Sequence, residues 1–347
     1  MEKNTLNILF PAEWHPQTAI MLTWPHADTD WRPILYEVLP CYVAIAKEIL
    51  QREKLMIVCS SISEVKSALG KQVDYSRILF HEIPSNDTWV RDYGPISIFI
   101  NGRPSILDFT FNGWGLKFPA NLDNQITRRL YQSGIFDSTV EYHVIKDVVL
   151  EGGSIESDGQ GAILTTAQCL FAPNRNEYHD TEEVEDYLKI LFGAHRVLWL
   201  HHGYLAGDDT DSHVDTLARF CNPETIAYVR CTDETDEHFV ELSLMEKELQ
   251  AFRTVAGKPY RLIPLPLAEA VYDAGQRLPA TYANFLIING AVLMPTYASP
   301  FDEVAKAALQ TAFPDREIVG VNCIPLIKQH GSLHCITMQI PREFLSQ

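Results

Sequence analysis

The sequence predicts an α/β fold assembled from one recurring unit, a β-hairpin followed by a helix and a further strand, within a single domain spanning residues 1–347. Three observations predict it. Turn signals between apolar runs recur roughly every 60 residues, at Asn101-Gly102, Asp158-Gly159-Gln160-Gly161, Asn222-Pro223-Glu224 and Asn289-Gly290. Helical patterns fall between these hairpins and lead into apolar strands. No Gly/Ser tract, Pro-rich tract or run of one charge marks a linker, so no domain boundary is expected.

Taken in order, residues 34–50 carry apolar positions at helical spacing, with Pro40 expected to kink or divide the helix. Leu55 to Val58 reads as a buried strand, Ser63 as the cap of a short helix, and Ile78 to Phe80 as the next strand. A polar loop from Asn86 to Gly94 precedes the first hairpin, Ile96–Ile100 against Ser105–Phe109. The later hairpins are Ser154–Glu156 with Ala162–Thr165, Leu217–Cys221 with Ile226–Cys231, and Phe285–Ile288 with Ala291–Tyr297. Helices are expected over 181–191, 236–253 and 302–313, with strands at Arg196–Leu200 and Ile318–Val321. A fifth hairpin has no local form. The strands at 335–340 and 19–23 are expected to pair and close the units into a ring with few open edges. An open α/β sheet carrying several hairpins fits the same pattern.

Composition narrows the function. Hydrophobic residues make up 46% of the 347, enough for a filled core and too many for a disordered chain. The net charge of −17 repels nucleic acid and anionic membranes and favours a cationic substrate. The start, Met1-Glu2-Lys3-Asn4-Thr5, lacks the basic and apolar regions of an export signal, and no apolar run reaches the length of a membrane span. A cytoplasmic protein is therefore expected. Its seven cysteines form no CxxC pair and are expected as reduced thiols.

The reactive residues share one place in the unit, the loop just before each hairpin. Trp89-Val90-Arg91-Asp92 precedes the first, Glu151-Gly152-Gly153 the second, and Asp211-Ser212-His213-Val214-Asp215 the third. His334-Cys335 stands before the last strand. In a ring, equivalent loops meet at one end. His213 and Asp215, two residues apart, are expected on one face of a strand. Cysteine attacks as thiolate, which Asp92, Asp215 and Glu151 would disfavour. The conflict disappears if the substrate brings the positive charge. A planar guanidinium offers paired donors that Asp92 and Asp215 can hold, leaving its central carbon facing Cys335. Cys335 would attack that carbon. His213 would protonate the departing nitrogen and then activate water, and Glu151 would orient the guanidinium and support His213. Other readings stay open: a zinc or manganese hydrolase using His201, His202, Asp208, Asp209, His213 and Asp215; a non-catalytic guanidine or polyamine binder; and transfer of the amidino group to an amine.

The tracts Pro11-Ala12-Glu13-Trp14, Thr23-Trp24-Pro25, Asn86 to Asp92, Glu151-Gly152-Gly153, Gly207 to Asp215 and His334-Cys335-Ile336-Thr337 together make the chain resemble the agmatine deiminase family. That family includes the bacterial peptidylarginine-deiminase-like proteins of the guanidine-modifying pentein superfamily. The resemblance implies a five-bladed α/β propeller of pseudo-symmetric ββαβ units, closed by pairing of the N- and C-terminal strands. It implies hydrolysis of agmatine to N-carbamoylputrescine and ammonia, in putrescine biosynthesis, without metal or organic cofactor, by a protein that is often a homo-oligomer. It assigns Cys335 as nucleophile, His213 and Glu151 as its catalytic partners, and Asp92 and Asp215 as guanidinium binders; Trp89 belongs to the same substrate-binding tract. Two positions depart from the family pattern: Tyr93 stands where a threonine is usual, and Ser332 where a second glycine is common. Both lie in loops that shape the pocket, so peptidyl-arginine and free arginine remain alternative substrates. Tyr272 to Thr281 is expected as a rim loop over the pocket.

Overall fold

The computed structural model describes residues 6–178 and 180–346. The first five residues, on which the absence of an export signal rests, lie outside the described residues. The fold is mixed α/β, and five sheets of three or four strands carry it. Four are hairpins extended by a parallel strand that returns after helix. Ile96–Ile100 and Arg103–Thr110 are joined by Glu141–Val149; Ile155–Ser157 and Ala162–Thr166 by Arg196–Leu200. Ala218–Asn222 and Thr225–Arg230 are joined by Arg261–Pro266; Leu286–Ile288 and Ala291–Thr296 by Glu317–Asn322. The fifth sheet draws on both ends of the sequence. Thr337–Pro341 pairs antiparallel with Gln17–Thr23, beside which Lys54–Cys59 and Ile78–Glu82 lie parallel. The pairing expected between the first and last strands is present.

Local chemistry sets the boundaries. Asn101 and Gly102 adopt φ of 51° and 77°, the paired left-handed conformation of a tight hairpin turn. The helix Thr181–Phe192 starts where Asp180 accepts a hydrogen bond from the Glu183 amide and stops at Gly193 in the left-handed conformation. Two expectations are corrected. Ser61, not Ser63, caps the helix Ile62–Leu69, because its hydroxyl reaches the Glu64 amide. Pro40 does not divide Leu35–Leu50; in the second turn it removes one i→i−4 bond, while Val38, Tyr42, Ile45 and Ile49 remain fully buried on the face that holds the helix down. Among the described residues no helix is long and apolar enough to cross a membrane.

Candidate active site

Cys335 sits two residues ahead of the strand Thr337–Pro341, so the sheet formed with Gln17–Thr23 fixes its position. Three other units send loops to it: the short helix Val90–Tyr93 with Asp92, the turn Glu151-Gly152-Gly153, and the turn Val214–Thr216 with Asp215. His213 and Asp215 were expected on a strand. They enter a 3-10 turn instead, which still brings both to the same place because Gly153 has no side chain. A Cβ there would stand 2.7 Å from His213 Nδ1, 2.8 Å from Asp92 Oδ1 and 3.2 Å from Asp215 Oδ2, all shorter than ordinary contact. One glycine thus lets an imidazole and two carboxylates converge.

The thiol lies 3.8 Å from Asp215 Oδ2. His213 Nε2 is 2.8 Å from Glu151 Oε2, while its Nδ1 is buried without a hydrogen bond, 3.7 Å from Asp92 Oδ1. Asp92 accepts from the Gly153 amide at 2.9 Å and from Trp114 Nε1 at 2.9 Å. Asp215 Oδ2 accepts from His334 Nδ1 at 2.7 Å, and its Oδ1 has no partner. Asp215, next to the thiol, and His213, next to Asp92, therefore hold unused hydrogen-bonding capacity in a buried place, where such a group is costly unless a ligand completes it.

The electrostatics run the same way. Burial, and then Asp215 and Asp92, push the Cys335 thiol well above its usual range. Burial pushes Asp92 up to about 6, with Glu151 and Asp215 adding to the effect against His213. Burial opposes charging His213, yet Asp92, Cys169 and Glu151 outweigh it and hold the imidazole well above its ordinary value. Burial would raise Glu151, but His213 and Arg175 outweigh it and keep it a carboxylate. The site's own groups thus place an excess of negative charge around an un-ionised thiol.

Cys335, Asp92 and Trp89 line a cavity of about 220 Å³ together with Trp114, Phe118, Asp30, Asp87 and Asp209. Glu151 is only 1% exposed and stands behind His213. The loop carrying the thiol lies flat on Trp89, since a Cβ on Gly331 would fall within its indole ring. The basic side chains on the wall are Lys328, tied to Glu37 at 2.5 Å, and His330, whose Nδ1 donates to the Gly207 carbonyl. The two unusual positions stay out of the cavity: Tyr93 donates to the Asp87 carbonyl, and Ser332 meets the Tyr297 hydroxyl, both buried. Tyr272–Asp273 and Gln276–Arg277 form a small hairpin that does not line this cavity, contrary to the expected rim loop.

The His/Asp set expected of a metallohydrolase does not converge. The backbone amides of His201 and His202 approach Glu248, and the His202 ring meets Glu241. Among the described residues the groups with metal-like spacing are Glu151/Cys169/His213 and Glu13/Glu156/His334. Arginines already serve their carboxylates, Arg175 in the first and Arg219 in the second.

Three residues escaped the sequence reading. Asn284 donates from Nδ2 to Cys335 Sγ at 3.3 Å, while its Oδ1 accepts from the His334 amide. It directly precedes the hairpin of the fourth unit, the same loop position that marked the others, and that position was the signal available. Trp114 and Arg175 lie in loops after hairpins, where no pattern pointed to them.

The model of the Porphyromonas-type peptidyl-arginine deiminase family matches residues 9–341. The agmatine deiminase of Ectopseudomonas mendocina is 32% identical over 95% of this chain and 95% of its own. A crystal structure of a Porphyromonas gingivalis protein described as an arginine deiminase is 54% identical, with a TM-score of 0.94 over 98% of this chain and all of that one. A cysteine-to-serine variant of the C. jejuni agmatine deiminase with substrate bound is 37% identical, with a TM-score of 0.91 over 98% of both chains.

Proposed function

The chain belongs to the Porphyromonas-type peptidyl-arginine deiminase family, and from that premise we propose that it hydrolyses agmatine to N-carbamoylputrescine and ammonia with Cys335 as nucleophile. One observation carries the reading: the thiol stands among carboxylates, of which Asp215 has an unpartnered oxygen and Asp92 lies 3.7 Å from an imidazole nitrogen that is itself unpartnered. A guanidinium supplies the missing donors and the missing charge.

Asp92 and Asp215 take the guanidinium nitrogens, and Trp89 and Trp114 form the wall beside them. The arriving cation cancels the field that suppressed ionisation, and Cys335 loses its proton to water. Asn284 Nδ2 donates to the thiolate. Sulfur attacks the guanidinium carbon. The bond from that carbon to a terminal nitrogen breaks as His213 gives its proton to the leaving group, and ammonia departs. An amidino-thioether remains. His213, now neutral, takes a proton from water as its oxygen adds to the carbon. The carbon–sulfur bond then breaks, the hydroxyl proton of the adduct passes to the departing sulfur, and the ureido product leaves with the thiol restored. His213 Nδ1 is the nitrogen free for this traffic, since Nε2 is held by Glu151. Glu151 fixes the imidazole and supports its charged form.

Asp30, Asp87 and Asp209 on the cavity wall suit the far ammonium of agmatine. Burial, with Asp123, Asp30 and Asp209 adding to it, pushes Asp87 up to about 8, and an ammonium would reverse that. The C. jejuni relative holds its substrate when a cysteine is replaced by serine, as expected of a nucleophile. We further infer that the five sheets close into a five-bladed propeller. The pairing of Thr337–Pro341 with Gln17–Thr23 and a core cluster drawing on residues 19 to 345 support closure and a single domain. A cytoplasmic setting suits the seven free thiols. Ammonia release from agmatine, arginine and an arginyl peptide tests the substrate. Agmatine should be preferred, and preference for either arginine substrate would overturn the choice.

A further inference from the structure

Arg175 has no part in the reaction as derived above, yet its guanidinium is engaged on both sides. Its Nε lies 3.0 Å from both Glu151 oxygens, and Nη2 also lies 3.0 Å from Oε2. On the other side Nη1 reaches Asp211 Oδ2 at 2.5 Å and Nη2 reaches the Thr210 carbonyl at 2.8 Å. Asp211 is shared, because Lys117 Nζ approaches the same oxygen at 2.9 Å and the Asp209 carbonyl at 2.6 Å. Asn112 and Asn174 complete the tie, the first donating to the Asn174 carbonyl and the second to the Gly115 carbonyl.

These contacts bind three loops that share a backbone peculiarity. Trp114 and Leu116, Asn174, and Asp211 and Ser212 all have φ between 54° and 68°, a region side chains enter only when held there. Each loop also delivers a working group. Trp114 holds Asp92, Asn174 precedes Arg175, and Asp211-Ser212 precedes His213. One guanidinium therefore joins the carboxylate that orients His213 to the loop from which His213 emerges.

We propose that Arg175 is a positioning residue for the Glu151–His213 pair, and that Asp211 acts through it as the outer half of the same clamp. The inference rests on the deiminase reading and adds to it. Removing the clamp releases two loops at once and lets the imidazole leave the line of proton transfer, while Asp92, Asp215 and the cavity wall still bind the guanidinium. The loss falls on kcat and leaves KM largely alone.

The test compares Arg175→Lys, Asp211→Asn and the double variant in full-length protein. Arg175→Lys keeps the charge but loses the fork, and should lower kcat roughly ten- to a hundred-fold with KM within about threefold of the parent. Asp211→Asn should lose less, and the double variant should be no slower than Arg175→Lys alone. An Arg175→Lys enzyme with parental kcat, a loss carried by KM, or losses that multiply would overturn the clamp. If Arg175→Lys does not fold, the partly exposed Asp211 decides: parental kcat in Asp211→Asn refutes the proposal. A second readout needs no turnover. The side-chain nitrogen resonances of His213 in ¹⁵N-histidine-labelled protein should move in both single variants, and unmoved resonances would count against the clamp. Failure of the parent protein to release ammonia from agmatine would instead strike the substrate reading, and the clamp would still be judged on those resonances.

Discussion

His334 separates two buried polar clusters that are built on opposite terms. On one side Arg219 lies between Glu13 and Glu156, bonded to both and to the carbonyl of Phe285, with Arg91 Nη2 3.6 Å from Glu13. The nearby cavity there, about 40 Å³, is too small for an organic substrate, and the carboxylates have counter-ions. On the other side Asp92 and Cys335 face a cavity several times larger, with Asp215 buried 3.8 Å from the thiol and with His213 Nδ1 and Asp215 Oδ1 unpartnered. The same residue types are used in both. Counter-ions on its carboxylates distinguish the cluster that holds the fold together from the one beside the cavity, and His334 spans them, bonded to Glu13 through Nε2 and to Asp215 through Nδ1.

That contrast can be broken at graded strength. Cys335→Ser should abolish ammonia release, by about 10⁴-fold or more, with a melting temperature near that of the parent. Residual turnover near the parental rate would remove the nucleophile from the scheme. Arg219→Met strikes the completed cluster and should cost on the order of 3–5 kcal/mol of stability, because two buried carboxylates lose their counter-ion. Denaturant titration measures it, and a cost under about 1 kcal/mol would mean the cluster is not held as described. Gly153→Ala should lower kcat/KM by roughly 10²-fold by spreading His213, Asp92 and Asp215, with a much smaller effect on stability. The smallest effect separates function from stability at one residue. Burial pushes Asp92 up to about 6, above the usual range of an aspartate in an unfolded chain, so its contribution to stability is full below about pH 4 and is lost as pH rises through 6. Asp92→Asn should therefore gain on the order of 1 kcal/mol at pH 7, with the gain vanishing near pH 4, while agmatine turnover is lost. In the parent protein kcat/KM should fall below about pH 6 as Asp92 protonates and loses its grip on the guanidinium.

The ease of reading this molecule from its sequence followed the physics of each segment. The hairpins were legible because Asn101-Gly102 and Asn289-Gly290 demand one turn geometry. Of the returning strands, Arg196–Leu200 and Glu317–Asn322 were legible as apolar runs and the other two were not. Glu141–Val149 is half-buried to exposed along most of its length and carries Lys146 and Asp147, and Arg261–Pro266 contains Pro264 and Pro266, tolerable because it is an edge strand whose amides need not all donate. At the site, thiol, imidazole and acids were found by type and by shared loop position. Asn284 has no titratable group to draw notice, and Arg175 lies 24 residues from the Glu151 it serves. The two-residue spacing of His213 and Asp215 was read through the wrong element, because a 3-10 turn and a strand cannot be told apart over three residues.

The order of the chain has a consequence for how the enzyme comes into being. Every acid of the pocket, its imidazole and both indoles are translated before the sulfur at 335, which is anchored by a strand whose mate, Gln17–Thr23, was made near the beginning. On the ribosome the nascent protein can gather its carboxylates but holds no nucleophile among them until Thr337–Pro341 has emerged and paired with Gln17–Thr23. A polypeptide that stopped before residue 335 would be without chemical power, so reactivity arrives only once the strand Thr337–Pro341 has been made and paired.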